Sequence, residues 1–446
     1  MPGLLSEKFK NKENTKKAVE EKVKQEEYTP TQQDNEIIET IISEISSQFR
    51  DTIAQNGFSD KIKEEIKIAV EQKCQTCQIG YEEQKRIERY ALSSIIGYGP
   101  LDTYIDDPEV TEIVVQRYDN ICIEKKGIVY KTKASFADEA QLKTVIDRIL
   151  QPIGRQINLF TPMVDGRLPN GSRVNATIPP VTPDGATLTI RKFSTDVLSG
   201  QDLINFDSLN IPMLKFLSKC VKSKISLIVS GGTSTGKTTL LNVLSSFIPN
   251  NELIITIEDS CELSLKQPNV RRMEARAVNG EGMQPITIQS LVRNSLRMRP
   301  DRIIVGEIRD GTVVDMMSAM STGHEGSMST VHANSPVALV NSRIPILYSM
   351  NSNYSFAESS QKVQIVEALQ LIIQITRLDN GERKISQITE VAGLENGKIL
   401  LRDIFVYDKK NKQFKATGYI PKKIINIAKS HNVDIDEAMF VNKDSR

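Results

Sequence analysis

Through the second half of the chain, apolar runs that end abruptly in glycine or in charge alternate with helically spaced stretches. Ile225 to Ser230, Leu253 to Ile257 and Arg302 to Val305 read as buried strands. Thr239 to Phe247, with Leu240, Leu241 and Leu244 on one face, and Leu291 to Met298 read as helices. Such alternation predicts a parallel sheet whose ligand lies at the carboxyl ends of the strands. Strands return at 384–391 and 398–406. The first half has a different texture. Ile37, Ile38, Ile41, Ile42 and Ile45 follow helical spacing, and Ser59 is placed to cap a second helix. Between Ile96 and Phe193 the pattern is strand-rich: Val110–Val115, Ile121–Glu124, Val174–Ile178 and Ala186–Arg191 alternate or run apolar, with a helix over Ala140–Ile153. The predicted organisation is a flexible tail over 1–35, a helical module over 36–93, an α+β domain over 94–195, a linker over 196–210 and an α/β domain over 211–446.

Composition narrows this picture. A chain of 446 residues exceeds one ordinary core, so two or three domains are expected. With 39% hydrophobic and 25% charged residues it reads as a soluble globular protein, and a net charge of +1 removes any whole-chain argument for nucleic acid. No apolar run reaches about 18 residues, and the first residues lack a secretory segment, which predicts a cytoplasmic protein with no integral membrane span. Of the five cysteines, Cys74 and Cys77 form a C-x-x-C pair. They continue the apolar face of Ile62, Ile66 and Val70 and have no second pair, so core packing is the expected role rather than zinc or redox chemistry.

Candidate chemistry begins where the first of those strands ends. Gly231-Gly232-Thr233-Ser234-Thr235-Gly236-Lys237-Thr238, with Thr239 following, lies between a strand and a helix in the P-loop arrangement. Its backbone amides would surround a nucleoside triphosphate, Lys237 would pair with the β- and γ-phosphates, and the Thr238 hydroxyl would take a Mg²⁺ position. The next strand ends in Glu258-Asp259, where Glu258 serves either as a base for hydrolysis or as the cap of a turn. The strand 302–305 delivers Gly306-Glu307, in the place where many P-loop proteins carry a Mg²⁺-holding aspartate. Its alternative is a surface carboxylate paired with a neighbouring arginine. Two of the three histidines, His324 and His332, fall in the Gly/Ser/Thr-rich stretch 321–334, read as a loop that senses a γ-phosphate. Arg167, Arg173 and Arg191 in the α+β domain are further anion-binding candidates, the first two flanking a turn-rich hairpin. Leu198-Ser199-Gly200-Gln201 is one glycine short of a transporter-ATPase signature and precedes the P-loop. Asn442-Lys443-Asp444 misses the guanine-reading spacing.

Taken together, Leu296–Asp310, Glu258-Asp259 and Gly323–Asn334 resemble the signature, acidic box and histidine box of the type II/type IV secretion traffic ATPases. Ile96–Asp102, the 163–178 hairpin and Ile190–Phe193 are similar to the tight-adherence (Flp) pilus branch. The resemblance covers residues from about 90 to 410. It implies a RecA-like P-loop ATPase domain with a parallel-sheet core, preceded by the α+β domain and the small helical module. It also implies a homo-hexameric ring that uses ATP and Mg²⁺ at the cytoplasmic face of the cell membrane, acting on an inner-membrane platform protein to drive pilus assembly or secretion. On the matching positions, Glu258 would activate water, Glu307 would hold Mg²⁺ through water, His332 would sit near the γ-phosphate, and Arg167, Arg173 and Arg191 would contact nucleotide. The two carboxylate roles are interchangeable at this level. Residues 337–353 depart from the family pattern, and a C-terminal four-cysteine module is absent, which points away from the type II secretion branch. A conjugation or type IV secretion motor and a nucleic-acid translocating ATPase are the alternatives.

Overall fold

The computed structural model describes residues 32–56, 59–77, 79–125, 127–168, 170–193, 198–276, 284–351 and 356–441. Most of the tail predicted over 1–35, the first two residues of the predicted linker and the tripeptide 442–444 lie outside the described residues. The chain divides into two compact units after Ser194.

The first unit begins with three helices, α1 (Gln32–Asn56), α2 (Asp60–Gln75) and α3 (Tyr81–Ile96). The isoleucine stripe drives their association: Ile38, Ile41 and Ile45 bury against Ile62, Ile66, Val70, Ile87 and Ala91. Ser59 caps α2 by accepting from the Ile62 amide. Cys74 is fully buried in this core and Cys77 partly.

An antiparallel sheet follows, built from β1 (Val110–Arg117), β2 (Asn120–Lys125), β3 (Ile128–Lys131), β4 (Met163–Arg167), β5 (Arg173–Thr177) and β6 (Thr187–Arg191), in the order β3-β2-β1-β6-β5-β4. Helix α4 (Glu139–Leu150) covers its apolar face through Leu142, Val145, Ile146 and Ile149. The helix stops at Leu150 rather than Ile153 because Pro152 holds the next residues in a 3₁₀ turn.

The second unit holds one nine-stranded sheet. Its strands are β7 (Leu227–Gly231), β8 (Ile254–Glu258), β9 (Val270–Glu274), β10 (Arg302–Val305), β11 (Met328–Val331), β12 (Leu371–Arg377), β13 (Arg383–Glu395), β14 (Lys398–Asp408) and β15 (Gln413–Ala416). They lie in the order β15-β14-β13-β12-β7-β11-β10-β8-β9. From β12 to β9 every pair is parallel, and the last three strands add an antiparallel edge. The fold is therefore α/β, as expected. Helices α5 (Ile211–Lys222), α6 (Lys237–Ser245), α7 (Ile288–Ser295) and α8 (Thr312–Ser321) pack against this sheet through two apolar clusters. Helix α7 starts three residues earlier than its apolar spacing suggests, because the Thr287 hydroxyl accepts from the Ser290 amide and fixes its N-terminus.

One ion pair locks the amino end of the parallel strands. Arg302 is fully buried, and its Nε donates to Glu252 at 2.5 Å, its Nη1 to the Gly326 carbonyl at 3.0 Å and its Nη2 to the Val221 carbonyl at 2.9 Å. Removing one partner of such a pair leaves an uncompensated buried charge. Glu252→Ala is therefore expected to lower the unfolding free energy by about 3–5 kcal/mol in urea titration, with the site at the opposite strand ends unaltered.

Candidate functional site

The site grows from the carboxyl ends of four neighbouring parallel strands. β7 is buried along its whole length and leads into the glycine-rich turn. Gly236 adopts φ +94, a left-handed conformation that glycine tolerates, and so turns the chain into α6 with Lys237 as its first residue. The Lys237 side chain is mostly buried. Its Nζ donates to the Gly232 carbonyl at 2.8 Å and lies 3.2 and 3.3 Å from the two ring nitrogens of His332. Burial, and to a smaller extent Arg309, lower its pKa, although Glu307 works the other way. Thr233, Ser234 and Thr239 are exposed, while the Thr235 hydroxyl donates to the Gly232 carbonyl.

His332 arrives on β11, which pairs directly with β7, with Val331 opposite Ser230. The stretch 321–334 is thus not a loop throughout: its centre is a fully buried strand. Its hydroxyl groups are satisfied inside the protein, Thr330 Oγ1 donating to the Gly306 carbonyl and Ser327 Oγ to the His324 carbonyl. The acidic tip of β10 is not on the strand beside the P-loop strand, because β11 stands between them. Nevertheless Glu307 Oε1 reaches 2.8 Å from His332 Nε2. That contact lacks hydrogen-bond alignment, and Oε1 is buried with no hydrogen-bond partner. The other oxygen, Oε2, accepts from Arg309 Nη2 at 2.7 Å. Burial pushes the Glu307 carboxyl upward, but the Arg309 hydrogen bond and the charges of Arg309 and Lys237 outweigh it and hold the pKa below its ordinary value. His332 is shifted downward by burial and by Lys237, which keeps the imidazole neutral.

Glu258 sits at the end of β8, against β10. A Cβ added to Gly306 would lie 3.0 Å from Glu258 Cγ, so a larger residue there would press on the Glu258 side chain. Glu258 is nearly fully buried. Oε2 accepts from the amides of Glu262 and Leu263 at 2.8 and 2.9 Å, while Oε1 has no hydrogen-bond partner. Burial dominates here and raises its pKa to about 7. The turn-capping alternative for Glu258 is therefore realised with one oxygen, and the other remains available for chemistry. Two buried carboxylate oxygens without partners are costly unless a polar group meets them. Glu307 Oε1 and the Thr238 hydroxyl are the hard oxygen donors that suit Mg²⁺ with part of its water shell retained.

Beside the turn lies a cleft of about 330 Å³ lined by Leu203, Phe206, Thr239, Leu240, Ile375 and Arg383. Arg383 Nε donates to the Ser234 carbonyl at 3.3 Å. Neither Phe206 nor Arg383 is a sequence candidate, since they come from segments on either side of the motif, and only their strand and turn placement brings them to it. Arg309 is not a numbered sequence candidate, but it is the neighbouring arginine that the paired-carboxylate alternative for Glu307 anticipates, and it donates to Glu307 Oε2.

His324 does not join this site. It precedes β11, at the amino end of the sheet, and its Nδ1 bonds the Pro300 carbonyl at 2.9 Å. Its expected nucleotide contact is corrected accordingly: β11 separates it from His332 along the strand direction. In the first unit, Arg167, Arg173 and Arg191 pair directly across β4, β5 and β6, and Arg191 pairs with Glu112 on β1. Directly paired residues share a face, so the three arginines form one row opposite the buried Val174 and Ile190. Among the described residues, no cluster of three or more His, Cys, Asp or Glu residues suits a metal, and no helix is long and apolar enough to cross a membrane.

With this geometry in view, a family described as type II/IV secretion system protein matches residues 96–427. The chain belongs to this family. It is 31% identical over 306 residues to a protein of Mycobacterium tuberculosis named for conjugal transfer, covering 67% of this chain and 86% of that one. It is 29% identical over 325 residues to the type IV secretion system protein VirB11 of Bartonella quintana, covering 65% and 90%. The crystal structure of the VirB11 ATPase of Brucella suis aligns at 25% identity with a TM-score of 0.36, over 65% of this chain and 95% of that one. The chain is a secretion-type ATPase. These names favour the conjugation and type IV secretion reading over the pilus branch suggested by residues 96–193.

Lys237→Ala is expected to reduce phosphate release at saturating ATP by at least about 100-fold, since it deletes the cation at the phosphate cradle. Its circular dichroism and thermal transition should match those of the wild type.

Proposed function

We propose that the protein is the Mg²⁺-dependent ATPase motor of a conjugation or type IV secretion machine, working as a homo-hexameric ring at the inner face of the cell membrane. The observation that carries this reading is the meeting of Lys237, His332, Glu307 and Glu258 at four adjacent strand ends. The amides of Gly231 to Thr239 cradle the phosphates, and Lys237 neutralises charge on the β- and γ-phosphates. Thr238 and Glu307 would hold Mg²⁺, which when bound would supply positive charge beside the phosphate oxygens. Glu258 takes a proton from the attacking water through Oε1 as the oxygen–phosphorus bond forms and the bond to the β-phosphate bridge breaks. His332, neutral beside Lys237, contacts the γ-phosphate region. The cleft at Phe206 and Arg383 accepts the base.

The arginine row supplies the remaining positive charge. Like charges directly opposite one another across strands repel, and an anion relieves that repulsion. Arg167, Arg173 and Arg191 are proposed to meet nucleotide phosphate during the turnover cycle. The force-bearing partner is a membrane-embedded platform protein, moved by a nucleotide-dependent conformational change. Pilus assembly is the second reading, supported by the motifs at Ile96–Asp102, the 163–178 hairpin and Ile190–Phe193. The near-neutral charge speaks against a nucleic-acid motor, and ATPase stimulation by single-stranded DNA would revive it.

Two measurements test this account. A base with its pKa at about 7 must be ionised to work. The value of kcat/KM is therefore expected to fall about tenfold per pH unit below neutrality and to level off above it. Glu258→Gln should lose that limb together with most of the turnover, whereas a flat acid profile in the wild type would reject Glu258 as the base. Light scattering with ATP analogue present should give a hexamer-sized mass, and a strict monomer would reject the ring.

A further inference from the structure

Glu307 is held from one side only, and the residue that holds it has no assigned role in the reaction. The chain bends at Gly306 after β10. The Ile308 amide donates to the Thr330 carbonyl at 3.0 Å, and the Ile308 side chain is buried in the core. The side chains of Glu307 and Arg309, on either side of that buried residue, meet each other. Immediately afterward, Asp310 Oδ1 accepts from the Thr312 amide at 2.9 Å and starts α8, so the stem of Arg309 lies between two anchored points. From that stem the guanidinium spans two strand ends. Nη2 donates to Glu307 Oε2 at 2.7 Å on the β10 side, and Nη1 lies 3.7 Å from Asp259 on the β8 side.

We propose that Arg309 is a positioning residue for ATP hydrolysis, which ties down Oε2 of Glu307 and so turns Oε1 toward the phosphate side of the site. A carboxylate released from Arg309 has Lys237 and His332 as its nearest charged and polar neighbours. A closed Lys237–Glu307 pair would cost the cradle its phosphate-binding cation. Arg309 competes for the carboxylate with a planar, always-charged fork, and Asp259 restrains that fork from behind. A lysine at the same position can bond Glu307 but cannot span both acids.

This inference rests on the proposed phosphate site, and the experiment separates the two. Wild type, Lys237→Ala, Arg309→Lys and Arg309→Ala are compared by phosphate release and by binding of a fluorescent ADP titrated with Mg²⁺. Arg309→Ala is expected to lose about 10- to 100-fold in kcat, with the KM for ATP within about threefold of wild type, and to need a higher Mg²⁺ concentration to reach full ADP affinity. Arg309→Lys should recover part of both losses. Thermal melting reports whether each variant is folded, and the lysine variant carries the test if the alanine variant is not. Wild-type kcat and Mg²⁺ response in a folded Arg309 variant, alongside an inactive Lys237→Ala, would overturn the positioning role and leave the site intact. A fully active Lys237→Ala would overturn the site itself, and the positioning role with it.

Discussion

The register of four parallel strands is the constraint on which everything else in the site depends. Ser230 lies opposite Val331, Ser329 opposite Val305, and Val305 opposite Ile257. Each strand then contributes its next one or two residues to the same sheet edge: the glycine-rich turn, His332, Glu307 and Glu258. A parallel sheet leaves those ends on one side, where a ligand can meet all of them. Slipping one strand by one residue would turn its tip to the opposite face. The strands are buried on both faces, which makes such a slip costly, and Arg302 with Glu252 fixes the opposite ends.

Within that frame, two carboxylates of the same chemical type acquire different properties from their surroundings. Glu258 is enclosed by backbone and apolar chain, so burial dominates and its carboxyl is retained as an acid up to about neutral pH. Glu307 is buried less and lies beside Arg309 and Lys237, whose charges favour its ionised form. Separation of this kind assigns proton transfer to the first and cation or water holding to the second in the proposed mechanism. Burial lowers the pKa of Lys237, and burial with the Lys237 charge lowers that of His332, which favours a neutral imidazole beside the ammonium. Arg309 then sets the direction in which the Glu307 charge points.

Much of this edge was legible from the amino acids because apolar runs that stop at glycine or glutamate have few other uses. The P-loop, Glu258 and Glu307 carry that signature. β11 does not. Met328-Ser329-Thr330-Val331 is rich in hydroxyls and resembles a polar loop until the bonds from Thr330 to the Gly306 carbonyl and from Ser327 to the His324 carbonyl are seen. Treating it as a loop made His324 and His332 look equivalent, although a whole strand separates them. Phe206 and Arg383 were invisible for another reason: they reach the cleft through β13 and a turn far from the motif, and no local pattern reports a long-range approach. The arginine row was half visible, since the hairpin showed Arg167 and Arg173 but only the pairing of β5 with β6 puts Arg191 beside them.

A structure of the full-length protein with a non-hydrolysable triphosphate analogue and Mg²⁺ tests the central claim most directly. The account predicts the terminal phosphate within about 2.7–3.2 Å of Lys237 Nζ, with Glu258 Oε1 and Glu307 Oε1 facing it. An analogue bound elsewhere, or a filled cradle with both carboxylates turned away, would contradict it.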